Sequence, residues 1–129
     1  MIKYYPAEDI KKEALNIIEK LNMNHIDLNS VFFFRSQGSK SRGTIARCHA
    51  LGKLMQKALQ RKAAYIIEVI SERFDKMSEE DKTKTIIHEL MHIPKSFGGG
   101  FKHHDYVCKK EVDKMYKRYK NENNNQKIR

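Results

Sequence analysis

The segment Ile86–Ile93, IIHELMHI, contains two histidines four residues apart with a glutamate directly after the first. On an α-helix, residues four positions apart are separated by only about 40° around the axis. His88 and His92 therefore project from one face and can bind a single metal ion. Glu89 is offset by about 100° on the same exposed side, where its carboxylate can reach a metal-bound water without being a ligand. This HExxH pattern therefore predicts a metal-dependent hydrolytic site.

The two histidines of the motif need a further partner. A catalytic zinc site usually has three protein ligands and keeps its fourth position for water. The next polar donors along the chain are His103, His104 and Asp105, and the glycines at 98–100 precede them. Glycine adopts backbone conformations that allow a sharp reversal, so each of these three residues is a candidate third ligand.

Size and composition limit the fold to one small domain. The chain has 129 residues, of which 40% are hydrophobic, enough for one core. No run approaches the 18 apolar residues of a membrane-spanning helix, and the N-terminus lacks a signal-peptide pattern. The two cysteines, Cys48 and Cys108, form no CxxC pair. We therefore expect a cytoplasmic monomer with free thiols and no membrane partner.

Basic residues are the compositional peculiarity of this chain. The net charge is +10, and the last 21 residues carry eight Lys and Arg against three acidic residues. A second basic cluster lies between Arg35 and Arg47. A positive field of this kind favours polyanionic partners, so non-specific association with nucleic acid is a candidate property, although solvated basic surfaces are common.

Hydrophobic periodicity predicts an α+β domain over residues 1–120, with a small, mostly antiparallel sheet and helices on one face. The HExxH helix has the clearest start signal, because Ser78 can cap it and Asp81 follows three residues later. The predicted strands are 31–34, 44–51 and 65–70, the first two of which would form a hairpin. The predicted helices are 6–22, 54–59, 79–93 and 104–120. Residues 121–129 are a polar basic tail, predicted to be disordered.

The sequence also resembles a known family. From Ile87 to His103 it reads IHELMHIPKSFGGGFKH, preceded by YIIEVISERFDKMS at residues 65–78. These stretches resemble small archaeal and phage metallopeptidases, which are minimal zincins with a layout similar to SprT-like proteases, and the likeness covers about residues 30–108. The resemblance implies a zincin-like domain that uses Zn²⁺ to hydrolyse peptide bonds in a protein or peptide substrate.

Roles for individual residues follow from this resemblance. It implies that His88 and His92 are zinc ligands, that Glu89 is the catalytic base and that a downstream histidine is the third ligand. In these relatives an aromatic residue follows the third ligand by three or four positions, and Tyr106 has this spacing from His103. In gluzincins a glutamate on the next helix is the third ligand, and Glu111 would correspond to it here.

Three further expectations concern the surroundings of the site. The strand at 65–70 would be an edge strand that aligns a peptide, and Glu68 would be a solvated carboxylate or a partner of a ligand histidine. His25, His49 and Cys108 would have structural roles. The competing functions are a nucleic-acid-associated protein with a structural or vestigial zinc site, and a latent peptidase covered by its own termini. The first would combine with peptidase activity if, by analogy with SprT-like proteins, the chain cleaved proteins associated with DNA.

Overall fold

The computed structural model describes residues 1–103 and 106–128, with side chains described up to residue 124. The strands are β1 (Lys3–Pro6), β2 (Val31–Gln37), β3 (Ala46–Ala50) and β4 (Tyr65–Ile70). The helices are α1 (Glu8–Lys20), α2 (Lys53–Leu59), α3 (Ser71–Phe74), α4 (Glu79–Met91) and α5 (Lys109–Ile128). The strands form one mixed sheet in the order β1-β2-β4-β3, which confirms the α+β class and is consistent with a small zincin-like domain.

Strand β4 lies in the interior of the sheet, parallel to β2 and antiparallel to β3. The predicted hairpin between β2 and β3 is therefore wrong, and so is the prediction that residues 65–70 form an edge strand. Five of the six residues of β4 are buried, as expected for a strand that pairs with a neighbour on each side. In β3, Arg47 and His49 alternate with Ala46, Cys48 and Ala50, and this half-polar strand is at the edge.

Helices α1, α4 and α5 pack together on one face of the sheet and enclose the core. Every second residue of β4 points into this core, and α4 contributes its apolar side. The fully buried residues at this contact are Tyr65, Ile67, Val69, Ile86, Ile87 and Leu90. The side of α4 opposite to these apolar residues carries the polar groups of the HExxH motif.

The start of α4 is as predicted. The Ser78 hydroxyl accepts a hydrogen bond from the Asp81 backbone N–H at 3.1 Å and so satisfies a donor that the helix leaves unpaired. The helix ends at Met91, two residues earlier than predicted, because the residue before Pro94 is disfavoured in helical conformation and the last turn loosens.

The two ends of the chain differ from the prediction. Pro6 ends β1, where it pairs with Phe34, so α1 begins at Glu8. Helix α5 begins at Lys109, later than expected, and continues to Ile128 through residues predicted as a tail, since neither Gly nor Pro interrupts it. None of the described helices is both long and apolar enough to span a membrane.

Candidate metal centre

His88, Glu89 and His92 form a compact cluster in which their potential ligand atoms all lie within 4.8 Å of one another. The two imidazole Nε2 atoms face each other at 3.2 Å, and His88 Nε2 is 3.9 Å from Glu89 Oε2. A tetrahedral zinc ion with Zn–N bonds of about 2.0–2.1 Å requires a nitrogen–nitrogen separation of about 3.3 Å. The two histidines therefore fit a single zinc-sized ion.

A second contact fixes the orientation of His92. Its Nδ1 lies 2.6 Å from the backbone carbonyl of Lys102, and the Lys102 N–H donates to the His92 carbonyl at 2.8 Å. A carbonyl can only accept, so Nδ1 carries the proton and Nε2 presents its lone pair to the cluster. Metal-binding histidines commonly have such a partner on the second nitrogen, which is independent support for a metal site.

Glu89 is buried beside the two histidines, with only 6% of its surface exposed. Burial disfavours the charged carboxylate and raises the pKa of Glu89 to about 7 in the metal-free chain. A carboxyl group with a pKa near neutrality can both accept and donate a proton, which is the property required of a general base that later acts as an acid.

The loop from Pro94 to His103 returns the chain to the end of α4. The Tyr65 hydroxyl accepts from the Gly99 N–H at 2.9 Å and donates to the Gly100 carbonyl at 2.8 Å. The Gln56 side-chain amide donates to the Gly98 carbonyl at 3.0 Å. Gly99 has a φ of +101°, and a Cβ there would lie 2.6 Å from the Leu51 carbonyl oxygen, so this position requires glycine.

The candidate third ligands occupy different places. His103 lines a cavity of about 360 Å³ together with His88, Glu89 and His92, but its ring is not part of the 4.8 Å cluster. Glu111 lies in the first turn of α5, where it pairs with Lys114 at 3.5 Å, and it is also outside the cluster. His104 and Asp105 lie outside the described residues, so their candidacy stays a prediction.

Comparison with protein families identifies the chain. A family model described as "Putative phage metallopeptidase" matches residues 2–127, almost the whole sequence. The chain belongs to this family. The match confirms the family predicted from the HExxH motif and its surroundings. Comparisons with curated proteins and with solved structures gave no match.

In this member of the family the site lies in a cleft between β3 and α4. A second cavity of about 610 Å³ adjoins the first, and the two share Ala46, His88 and Glu89. Sequence reasoning missed Cys48, which lines the smaller cavity. Burial, aided by the Glu89 carboxylate, raises the pKa of the Cys48 thiol to about 12. The alternation of β3, with Ala46, Cys48 and Ala50 on one face, is the signal that could have revealed it.

Glu68 is neither a partner of a ligand histidine nor a solvated carboxylate, so both expectations for it are wrong: only 4% of its surface is exposed. Strand alternation turns it to the opposite face of the sheet, where His49 Nε2 lies 2.7 Å from one of its carboxylate oxygens and Arg47 lies 3.5 Å from the other. Burial alone would raise the pKa of Glu68, but its contacts with Ser36 and His49 outweigh this effect and hold the pKa below its usual value. His49 is therefore a partner of Glu68 and not an isolated histidine.

Proposed function

We propose that this chain is a zinc-dependent peptidase, with the metal held by His88, His92 and His103 and with Glu89 as general base. The observation that carries the proposal is the 3.2 Å separation of the His88 and His92 Nε2 atoms. Imidazole donors suit zinc, and three protein ligands leave one position for water. His103 already lines the same cavity.

When bound, zinc would polarise the scissile carbonyl and lower the pKa of a coordinated water. Glu89 then removes a proton from the attacking water at its carboxylate and delivers it to the leaving amine nitrogen. The Lys102 carbonyl keeps the Nδ1 proton of His92 in place, so this imidazole holds one tautomer. Burial of Glu89 keeps most of its side chain out of contact with bulk water.

Strand β3, and not the predicted β4, is placed to align a peptide. It is the last strand of the sheet, so one of its edges is free to pair with an extended chain. Its first residue, Ala46, lines both cavities of the cleft, and Glu89 lines the same two cavities. A peptide paired with β3 would therefore pass over the proposed base.

The decisive experiment combines metal analysis with Glu89→Gln. We expect about one zinc per chain in both proteins and a loss of peptidase activity of about a thousandfold in the variant, the range that a general base contributes. Glu19→Gln, which removes an exposed carboxylate on α1 that lines neither cavity of the cleft, is the matched control and should keep its activity. Full activity in Glu89→Gln would exclude this residue as the base.

The structure favours this function over a purely nucleic-acid-binding one. Two arginines of the basic cluster are engaged within the protein: Arg35 contacts Asp9 at 2.8 Å and Asp75 at 3.0 Å, and Arg47 pairs with Glu68. Non-specific DNA binding, if it occurs, must weaken steeply with salt, and its absence at low salt would remove that alternative. Helix α1 packs against α4 and α5 in the core, which gives no support to a latent form covered by this helix.

A further inference from the structure

The positive charge is concentrated in one part of the sequence. Residues 28–67 contain eight Lys and Arg and no Asp or Glu, whereas the other 18 basic residues are nearly balanced by all 16 acidic ones. This acid-free segment includes β2, β3 and α2. Its basic residues are Arg35, Lys40, Arg42, Arg47, Lys53, Lys57, Arg61 and Lys62.

Only some of these charges are neutralised by contacts within the protein. Arg35 and Arg47 have the carboxylate partners described above, and Lys62 pairs with Asp27 at 2.6 Å. The other five are exposed and have no acidic partner in the described part of the chain. They are Lys40, Arg42, Lys53, Lys57 and Arg61.

These five residues lie before and after the edge strand that borders the cleft. Lys40 and Arg42 belong to the segment that leads into β3, and the Arg73 side chain donates to the Ser41 and Thr44 carbonyls of that segment. Thr44 in turn lines the larger cavity. The beginning of β3 therefore has a basic segment that is held in place.

Helix α2 supplies the charges at the other end of β3. Its Gln56 contacts the Gly98 carbonyl, so this side of the helix faces the loop that carries His103. On a helix, residues three or four positions apart lie on the same side. Lys53 is three positions before Gln56 and four before Lys57, so it shares a side with each of them. The two lysines therefore lie on or next to the side of α2 that faces the loop at residues 94–103, beyond the end of β3.

The opposite wall of the cleft is electrically balanced. In the larger cavity Lys84 and Lys109 face Asp81 and Asp113, and both lysines contact Asp113 at 3.2 Å. In the larger cavity this wall therefore adds no net positive charge, and the smaller cavity is lined by one further basic residue outside β3, Lys102.

We propose that the cleft selects acidic substrates, namely extended peptides with Asp or Glu on both sides of the scissile bond. The proposal rests on the peptidase function and names its substrate class. Strand β3 has five residues and spans about 16 Å, at about 3.3 Å per residue. A peptide paired along it brings residues a few positions from the scissile bond to the basic groups at either end, where opposite charges attract across an exposed surface.

The test uses peptides with one central sequence and with Glu, Gln or Lys flanks, cleaved by the zinc-loaded full chain. At low salt we expect kcat/KM for the Glu-flanked peptide to exceed that of the Gln-flanked peptide by about tenfold, and the Lys-flanked peptide to be the poorest. The preference should shrink in high salt, because salt screens exposed charges. Equal kcat/KM for the three peptides would overturn the proposal.

A charge reversal separates local recognition from net charge. Lys53→Glu/Lys57→Glu should remove the preference for Glu flanks or turn it towards Lys flanks. Lys11→Glu/Lys12→Glu makes the same change in net charge on α1, which packs against β2 on the far half of the sheet, and should leave the preference intact. An equal effect of both double variants would mean that only net charge matters, against the proposal.

Peptide binding to zinc-loaded Glu89→Gln protein, measured by fluorescence anisotropy, distinguishes this proposal from the proposed function. If no peptide is cleaved by the wild-type chain, the peptidase function fails, yet tighter binding of the Glu-flanked peptide would still support acidic recognition. Equal binding of all three peptides would overturn it. A different result would also overturn the proposal: the protein binds duplex DNA in a salt-sensitive way, Lys53→Glu/Lys57→Glu abolishes this binding, and no peptide is preferred. The basic residues would then bind nucleic acid and not acidic peptides.

Discussion

Helix α4 and the loop at residues 94–103 both bring groups to the metal centre, but they are held in different ways. Helix α4 is fixed by its Ser78 cap and by apolar residues such as Leu90, which is fully buried. The loop is attached by polar contacts, from Tyr65 and Gln56 to its glycines and from Lys102 to His92, and by the ring of Phe97, which packs edge-on against Tyr65 with 4.9 Å between the ring centroids. Changes in the helix should therefore affect folding, and changes at the loop should affect metal affinity.

The largest effect is expected on the helix side. Leu90→Ala deletes a fully buried side chain and should lower the free energy of unfolding by about 2–5 kcal/mol. Chemical denaturation of the metal-free protein measures this directly. Leu54→Ala, at a position that is 81% exposed on α2, is the matched control and should change stability by less than about 0.5 kcal/mol. Similar losses in both variants would mean that α4 is not anchored through the core.

A second prediction concerns the buried carboxyl group of α4. The pKa of Glu89 is raised from 4.5 to about 7 in the folded metal-free chain, so the folded state holds its proton more tightly than the unfolded state does. The contribution of this group to the free energy of unfolding is therefore fully present below pH 4.5. It decreases as the pH rises to about 7 and is lost above that pH, a total change of roughly 3 kcal/mol.

Glu89→Gln removes this titration. The metal-free variant should therefore be more stable than wild type at pH 8 and close to wild type at pH 4, as measured by urea unfolding at the two pH values. Taking the difference between the two proteins cancels the titration of all other groups. An identical pH dependence in both proteins would contradict the burial of a neutral Glu89.

The smallest effect is expected on the loop side. Tyr65→Phe keeps the ring but removes the hydroxyl that contacts Gly99 and Gly100, and should weaken zinc binding by about tenfold, as loss of supporting contacts does in other metal sites. Competition with a chelator measures this affinity. Tyr119→Phe removes a hydroxyl that accepts from Asn16 at 2.7 Å, away from the loop, and should lower stability without changing zinc affinity. Equal zinc affinity in wild type and Tyr65→Phe would show that the loop needs no such support.

The local features of the sequence predicted α4 well. The Ser78 cap, the apolar spacing of Ile86 and Leu90 and the HExxH pattern all depend on residues within one helix, where geometry follows directly from spacing. Strand pairing was predicted less well. Segments 31–37 and 46–50 are close in sequence, but β4 lies between them and pairs with both. This pairing buries five of the six residues of β4 and joins segments far apart in sequence, so local spacing does not predict it.

By itself, the sequence determined the phage metallopeptidase family, the α+β class and the pairing of His88 with His92 on one helix, since these depend on motifs and on helical periodicity. Only the tertiary structure decided which strand borders the cleft, that Glu68 faces away from the metal centre, and that Tyr65 and Lys102 support the loop and His92. These features depend on contacts between residues distant in sequence, such as Tyr65 and Gly99, which are 34 positions apart, and no local spacing encodes them.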